Sequence, residues 1–267
     1  MSAPRRRLTW ALVAITLAAG GLLAAPATTR QGIDFAVSTK TIPLYAKALA
    51  FLHRDAEYRL LAREITAHAA TDEAKALAVF DWTRRHIART PPGWPVVDDH
   101  ILHIIIRGHG LEDQMADVFT TLTTYAGVRA FWRQARVDER PGIVCSFVKL
   151  GNRWAVFDVG NGIILRMPDG QLADVRELQA DPALREMVCR DLRAQDTPYA
   201  QFLAALPPFE TPHPFRAEQQ MPWPRLISEL QRVMAASPSA MRHFLALRAR
   251  SPQRHPVEAA KIWAQAR

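Results

Sequence analysis

The chain has 267 residues, 49% of them hydrophobic and 22% charged. That is enough apolar material for one large domain with a tail, and it excludes a wholly disordered or fibrous chain. The formal net charge of +8 falls to about +5 once Arg5, Arg6 and Arg7 are set aside. No long basic run and no basic–aromatic interleaving is present, so nucleic acid is not an expected partner.

Residues 1–27 combine Arg5–Arg7, an uncharged run from Leu8 to Ala25, and the small-residue stretch Ala25-Pro26-Ala27. This is the order of a secretory signal cut after Ala27. The run is also just long enough to span a bilayer, so an uncleaved membrane anchor is the alternative. Gly20 and Gly21 weaken the helix and favour cleavage slightly. In both cases the arginines stay inside and the body is exported, to the periplasm or the outer face of the inner membrane. Residues 28–43 read as a linker or an extended arm.

Apolar periodicity then predicts helices. Leu44, Ala48, Phe51 and Leu52 mark one face between Pro43 and Ala70, followed by Tyr58, Leu61 and Ile65. Thr71 with Asp72 and Glu73 is a helix start. The helix after it carries Leu77, Phe80, Thr83 and Ile87 and stops before Pro91-Pro92. A loop over 91–100 ends in Asp98-Asp99-His100, and an apolar run, Ile101–Ile106, and a turn, Arg107–Gly110, follow. Met115, Val118, Phe119, Leu122 and Ala126 share a face of the next helix, and Gly127 fits the position just past its end. The period then changes to two. Val128–Val137, Gly142–Leu150, Arg153–Val159 and Ile163–Arg166 read as strands, separated by turns at Gly151-Asn152 and Asn161-Gly162. Helices followed by antiparallel strands give an α+β fold. From residue 171 the chain returns to helix, with Asp181-Pro182 as one start. Residues 206–224 hold six prolines and read as a surface loop, and Ser237-Pro238 and Pro256 start two final helices. The expected organisation is a signal or anchor over 1–27, a linker over 28–43, an α+β domain over 44–170 and a mainly helical extension over 171–267.

Two blocks inside the domain carry a further signal. One is Gly110-Leu111-Glu112-Asp113-Gln114-Met115-Ala116 with Phe119, Leu122 and Ala126-Gly127-Val128-Arg129-Ala130. The other is Gly151-Asn152-Arg153-Trp154-Ala155-Val156-Phe157-Asp158. Together they resemble the core of the transglutaminase-like (papain-like cysteine protease) superfamily over roughly residues 72–165. The resemblance implies helices packed on an antiparallel sheet and a Cys–His–Asp site. In such a site the helix N-terminus favours the thiolate, a His takes the proton, and a carboxylate orients the His. Here the Cys position holds Glu112, and the His position, eleven residues before Trp154, holds Ile143. Asp158 alone remains. The resemblance therefore implies a member without thiol catalysis. Glu112 is expected to be a stabilised capping anion, and Ile143 cannot move a proton. Cys145 lies two residues further along the same strand face but has no helix end to activate it. Trp154 is expected to pack on the helix of Glu112.

The expected function is that of an exported binding or scaffolding module acting through the former substrate cleft. Asp98, Asp99, His100, Asp113, Gln114 and Trp154 are its candidate cleft residues, and a peptide, glycan or envelope protein is its expected partner. The alternative is a hydrolase with a rebuilt carboxylate or Asp–His site in the same cleft, since paired carboxylates support acid–base hydrolysis when their environments separate them. Asp98-Asp99-His100 with His103 offers ligand types without a converging set, so neither metal nor cofactor is expected. Cys145 and Cys189 fit either a disulfide in an oxidising compartment or two separate buried thiols.

Overall fold

The computed structural model describes residues 23–235, except 99 and 139–141, together with a few positions between 10 and 21. Most of the expected signal segment and the two final helices lie outside the described residues. Among those residues no helix is long and apolar enough to cross a membrane.

The stretch expected as a linker or arm is a β-hairpin. Strand β1 (Pro26–Ile33) pairs antiparallel with β2 (Ala36–Pro43). Asp34 and Phe35 between them have φ of 47° and 66°, the left-handed pair that a two-residue hairpin turn needs. Helix α1 (Leu44–Ile65) follows as one continuous element. Its second half meets the expectation, with Tyr58 and Ala62 buried and Leu61 and Ile65 packed on the core. Its first half does not, because Ala48 and Leu52 are exposed. Those turns run beside the hairpin, where Lys47 donates to the Thr28 carbonyl (2.6 Å), rather than over the core.

Helix α2 (Asp72–His86) starts as predicted, with Thr71 Oγ1 accepting from the Ala74 N–H. Strand β3 (Ala88–Arg89) leaves it, and β4 (Val97–Asp98) pairs with β1. The apolar run is a short helix, α3 (Ile101–Arg107), ended by Gly108. Strand β5 (His109–Gly110) then pairs parallel with β3 and delivers the chain to α4 (Glu112–Tyr125).

Helix α4 is the centre of the molecule, buried at every residue from Glu112 to Thr124. It carries Thr120 and Thr124 inside, and their hydroxyls donate back to the Ala116 and Thr120 carbonyls (2.8 and 2.7 Å). Gly127 just beyond it has φ 91°, which closes the helix end.

The predicted strands are present as an antiparallel sheet of β6 (Ala130–Ala135), β7 (Ile143–Leu150), β8 (Arg153–Asp158) and β9 (Ile163–Ile164), in that order. Alternate side chains leave a strand on opposite faces. On β7 and β8, Val148, Ala155 and Phe157 join a core with α1 to α4. Ile143, Cys145, Phe147, Trp154 and Val156 join a second core on the other face. That second core is covered by α5 (Val175–Ala180), α6 (Pro182–Val188) and α7 (Tyr199–Ala204), with the strand pair β10 (Arg193–Ala194) and β11 (Thr197–Pro198) between α6 and α7. Phe209 and Phe215 from the proline-rich segment pack into it too. A 3₁₀ turn (Glu218–Gln220) and helix α8 (Pro222–Ala235) follow, so the helix begins inside the stretch read as loop. Cys145 and Cys189 are buried and unpaired with each other.

Phe157 ties α2 and α4 to the sheet, with its ring 5.7 Å from Phe80 and 5.3 Å from Phe119. Phe157→Ala is expected to cost roughly 3–5 kcal/mol, a lost transfer energy plus a cavity. Equilibrium urea unfolding measures it.

Candidate functional site

Leu111 is the N-cap residue of α4, and Glu112 and Asp113 occupy its first turn. Their side chains leave the helix about 100° apart and enter different surroundings.

Glu112 is nearly enclosed, its side chain 10% exposed. Its Oε1 accepts from Arg89 Nη2 at 2.7 Å. Arg89, on β3, also donates to the Gly160 carbonyl (3.1 Å) and to Asn161 Oδ1 (2.8 Å). Gly160 lies close against the Glu112 side chain: a Cβ there would lie 2.7 Å from Glu112 Cγ. Arg84 of α2 holds the same loop by donating to the Val159 and Gly160 carbonyls, both at 3.1 Å. Burial pushes the Glu112 carboxyl up to about 7, against the pull of Arg89 and with smaller contributions from Asp158 and Asp113. The expectation of a stabilised capping anion is therefore corrected, because desolvation outweighs the helix end.

Asp158 closes β8 and is 1% exposed. Asn161 serves both its oxygens, the backbone N–H donating to Oδ1 (2.9 Å) and the side-chain amide to Oδ2 (2.8 Å). The Tyr199 hydroxyl donates to Oδ2 from α7 (3.0 Å) and sits 3.6 Å from Cys145 Sγ. Continuing the β7–β8 register, in which Ser146 faces Phe157, sets Cys145 opposite Asp158. Polar side chains thus run in a continuous line from Glu112 through Arg89, Asn161, Asp158 and Tyr199 to Cys145. Burial raises the carboxyl of Asp158, against the hydrogen bonds from Asn161 and Tyr199, and strongly raises the thiol of Cys145, so that thiol is not primed to give up a proton. Ile143 lies beyond Cys145 in the second core, fully buried.

Asp113 looks the other way. Its Oδ1 accepts from the Gln114 N–H (2.9 Å), and burial, then the neighbouring Asp117, pushes its carboxyl up to about 7. Asp117 is itself satisfied by Trp132 Nε1 (2.6 Å) and Arg216 (2.6 Å). Gln114 turns back to cap the helix, its Oε1 accepting from the Leu111 N–H (3.0 Å) while Nε2 donates to the Val97 carbonyl (2.7 Å).

The structure therefore brings Glu112 and Asp158 into one cluster and sets Asp98 within electrostatic reach of Asp113. His100 stands at the start of α3 with its ring 5.7 Å from that of His103. Asp99 lies outside the described residues. Trp154 is a correction: strand alternation puts it on the far face of the sheet from α4, packed with Phe131, Phe209 and Phe215. Arg89, Asn161 and Tyr199 escaped the sequence reading. Only Asn161 left a trace, as part of the Asn161-Gly162 turn.

No protein-family profile matches the chain, and no curated protein is similar to it at a significant level. Among solved structures it bears a distant likeness to a candidate cysteine protease from Cytophaga hutchinsonii, at 15% identity and a TM-score of 0.36 over 44% of this chain and 40% of that one. A candidate protease from Parabacteroides distasonis is similar at 11% identity and a TM-score of 0.30, over 41% of this chain and 27% of that one. The matched part is less than half the length of each of those proteins.

Two outcomes follow from the enclosure of Glu112. Gly160→Ala is expected to destabilise by about 1–3 kcal/mol through overpacking. Pairing it with Glu112→Ala should recover most of that loss in a double-mutant cycle. The pH dependence has a definite sign. A carboxyl raised from 4.5 to about 7 binds more protons folded than unfolded in that window, so stability falls as pH rises through it. Glu112→Gln is expected to remove one proton's share of that fall, up to about 1.4 kcal/mol per pH unit, in urea titrations between pH 4.5 and 7. An unchanged slope would show that Glu112 ionises normally.

Proposed function

We propose that this chain is an exported cell-envelope protein of transglutaminase-like descent that has given up thiol catalysis and works as a binding or scaffolding module. The observation that carries the reading is Glu112 at the head of α4, where the family presents its nucleophile, sealed between Arg89 and the Gly160 backbone. A carboxylate in that position is a poor acyl acceptor, and its Oε1 is already engaged by Arg89. The residue in the His position, Ile143, is aliphatic and buried. Asp158 has become a structural acceptor for Asn161 and Tyr199.

Because Asp158 is enclosed, contact with a ligand falls to the rim rather than the floor of the former cleft. Arg89 is 55% exposed at its side chain, and Trp94 is 57% exposed with its ring edge-on to His109 (5.2 Å). His109 in turn meets Thr90 Oγ1 at 3.3 Å, and β5 holds it beside Ala88 and Arg89. An exposed indole suits stacking on a sugar ring or a peptide, and the exposed part of Arg89 suits an anionic group on it.

The rival reading, a rebuilt carboxylate hydrolase, draws on burial pushing both Glu112 and Asp113 up to about 7. Their enclosure and separate surroundings disfavour it. Complementation of a deletion strain separates the two readings. Glu112→Gln is expected to restore whatever phenotype the wild-type gene restores, while Trp94→Ala with Arg89→Gln fails. Loss of complementation by Glu112→Gln, with the protein folded and present at normal level, would favour the hydrolase. Export rests on residues 1–27, and a fusion of residues 1–43 to a phosphatase active only outside the cytoplasm is expected to be active.

A further inference from the structure

Helix α8 is turned inside out. Trp223, Leu226, Ile227 and Leu230 fall at i, i+3, i+4 and i+7, the spacing of one apolar stripe, and they are 72%, 46%, 53% and 52% exposed. The charged side is the covered one: Arg225 and Glu229 pair at 3.1 Å with side chains 34% and 14% exposed. A helix held this way has its apolar face reserved for something outside the body.

Charge identifies the occupant. The 32 residues after α8 carry six Lys and Arg against one Glu. An apolar stripe bearing Trp and Leu, followed by a cationic segment, matches the two attractions of an anionic bilayer: apolar burial in the interface and charge against the headgroups. We propose that α8 is a membrane-surface helix that seats Trp223, Leu226, Ile227 and Leu230 in the interfacial layer of an anionic phospholipid bilayer. The proposal does not depend on the loss of catalysis or on export.

The full-length chain tests it. Its two cysteines, Cys145 and Cys189, are both buried, so a cysteine introduced on the surface takes a nitroxide or polarity-sensitive label selectively. Because the apolar run of residues 8–25 can hold the chain on any vesicle, the readout is the environment of the label and not co-flotation. Labels at Leu226→Cys and Leu230→Cys are expected to move into an apolar, oxygen-accessible environment on phosphatidylglycerol-rich vesicles. A label at Ser228→Cys, on the half-covered side of the helix, should not change when lipid is added. The shift should weaken on phosphatidylcholine vesicles and at high salt. Adding Ile227→Glu should cut the membrane-bound fraction of the Leu230→Cys label by about tenfold or more. An aqueous signal at residues 226 and 230 on anionic vesicles overturns the proposal. So does a label already shielded without lipid, independent of protein concentration if the chain's own C-terminal residues cover the stripe, and rising with concentration if a second copy does.

Discussion

A carboxylate buried at the head of a helix must find a cation or give up its charge, and much of this molecule is arranged around how Glu112 meets that demand. Arg89 reaches it only because β3 pairs with β5 and so runs beside the entry to α4. The same guanidinium then fixes Asn161, and Asn161 fixes Asp158. The loop over 159–162 cannot move away without leaving Arg84 and Arg89 short of their carbonyl partners. One ion pair therefore joins β3 and α4 to the loop after β8, and Arg84 ties that loop to α2.

Magnitudes explain why that carboxyl is not the comfortable anion suggested by its place in the chain. A helix N-terminus contributes about 0.3–1 kcal/mol to a nearby exposed negative charge, and up to about 2 kcal/mol when partly buried. Taking a charge out of water costs several kcal/mol even after relaxation. Arg89 offsets part of the difference, but its own side chain is half in water, which screens the pair. Burial is the largest of these effects and pushes the Glu112 carboxyl up to about 7.

Element boundaries in the sheet were legible because alternation and turn residues agree there: all four predicted strands are present, and Gly151-Asn152 turns β7 into β8. The same pattern could not say which face meets which layer. Both faces of β7 and β8 are apolar, one toward α4 and one toward α5 to α7, so Trp154 was placed against the wrong helix. Glu112 and Asp158, read from two short blocks in fixed order, lie within electrostatic reach of each other. Arg89, 23 residues from Glu112, and Tyr199, 41 residues from Asp158, were not readable, since their pairing is decided by the tertiary path between them. The first half of α1 misled for a related reason: helical periodicity records where apolar residues stand, and here the body does not extend under them.

The two acids at the start of α4 add a constraint that neither residue shows alone. Asp113 adds only a small upward push to Glu112, Asp117 pushes Asp113 up, and each carboxyl is raised mainly by its own burial. Adjacent in sequence, they face separate partners, Arg89 for Glu112 and the Asp117–Arg216 pair for Asp113. The helix head thus holds two enclosed carboxyls, one tied to the β8 loop and the other near the segment bearing Arg216. A carboxylate pair working as acid and base on one substrate would need both groups on one surface with their pKa values driven apart. Here both are raised by burial and face separate partners, an arrangement that suits holding a helix in place and does not suit moving a proton to a ligand.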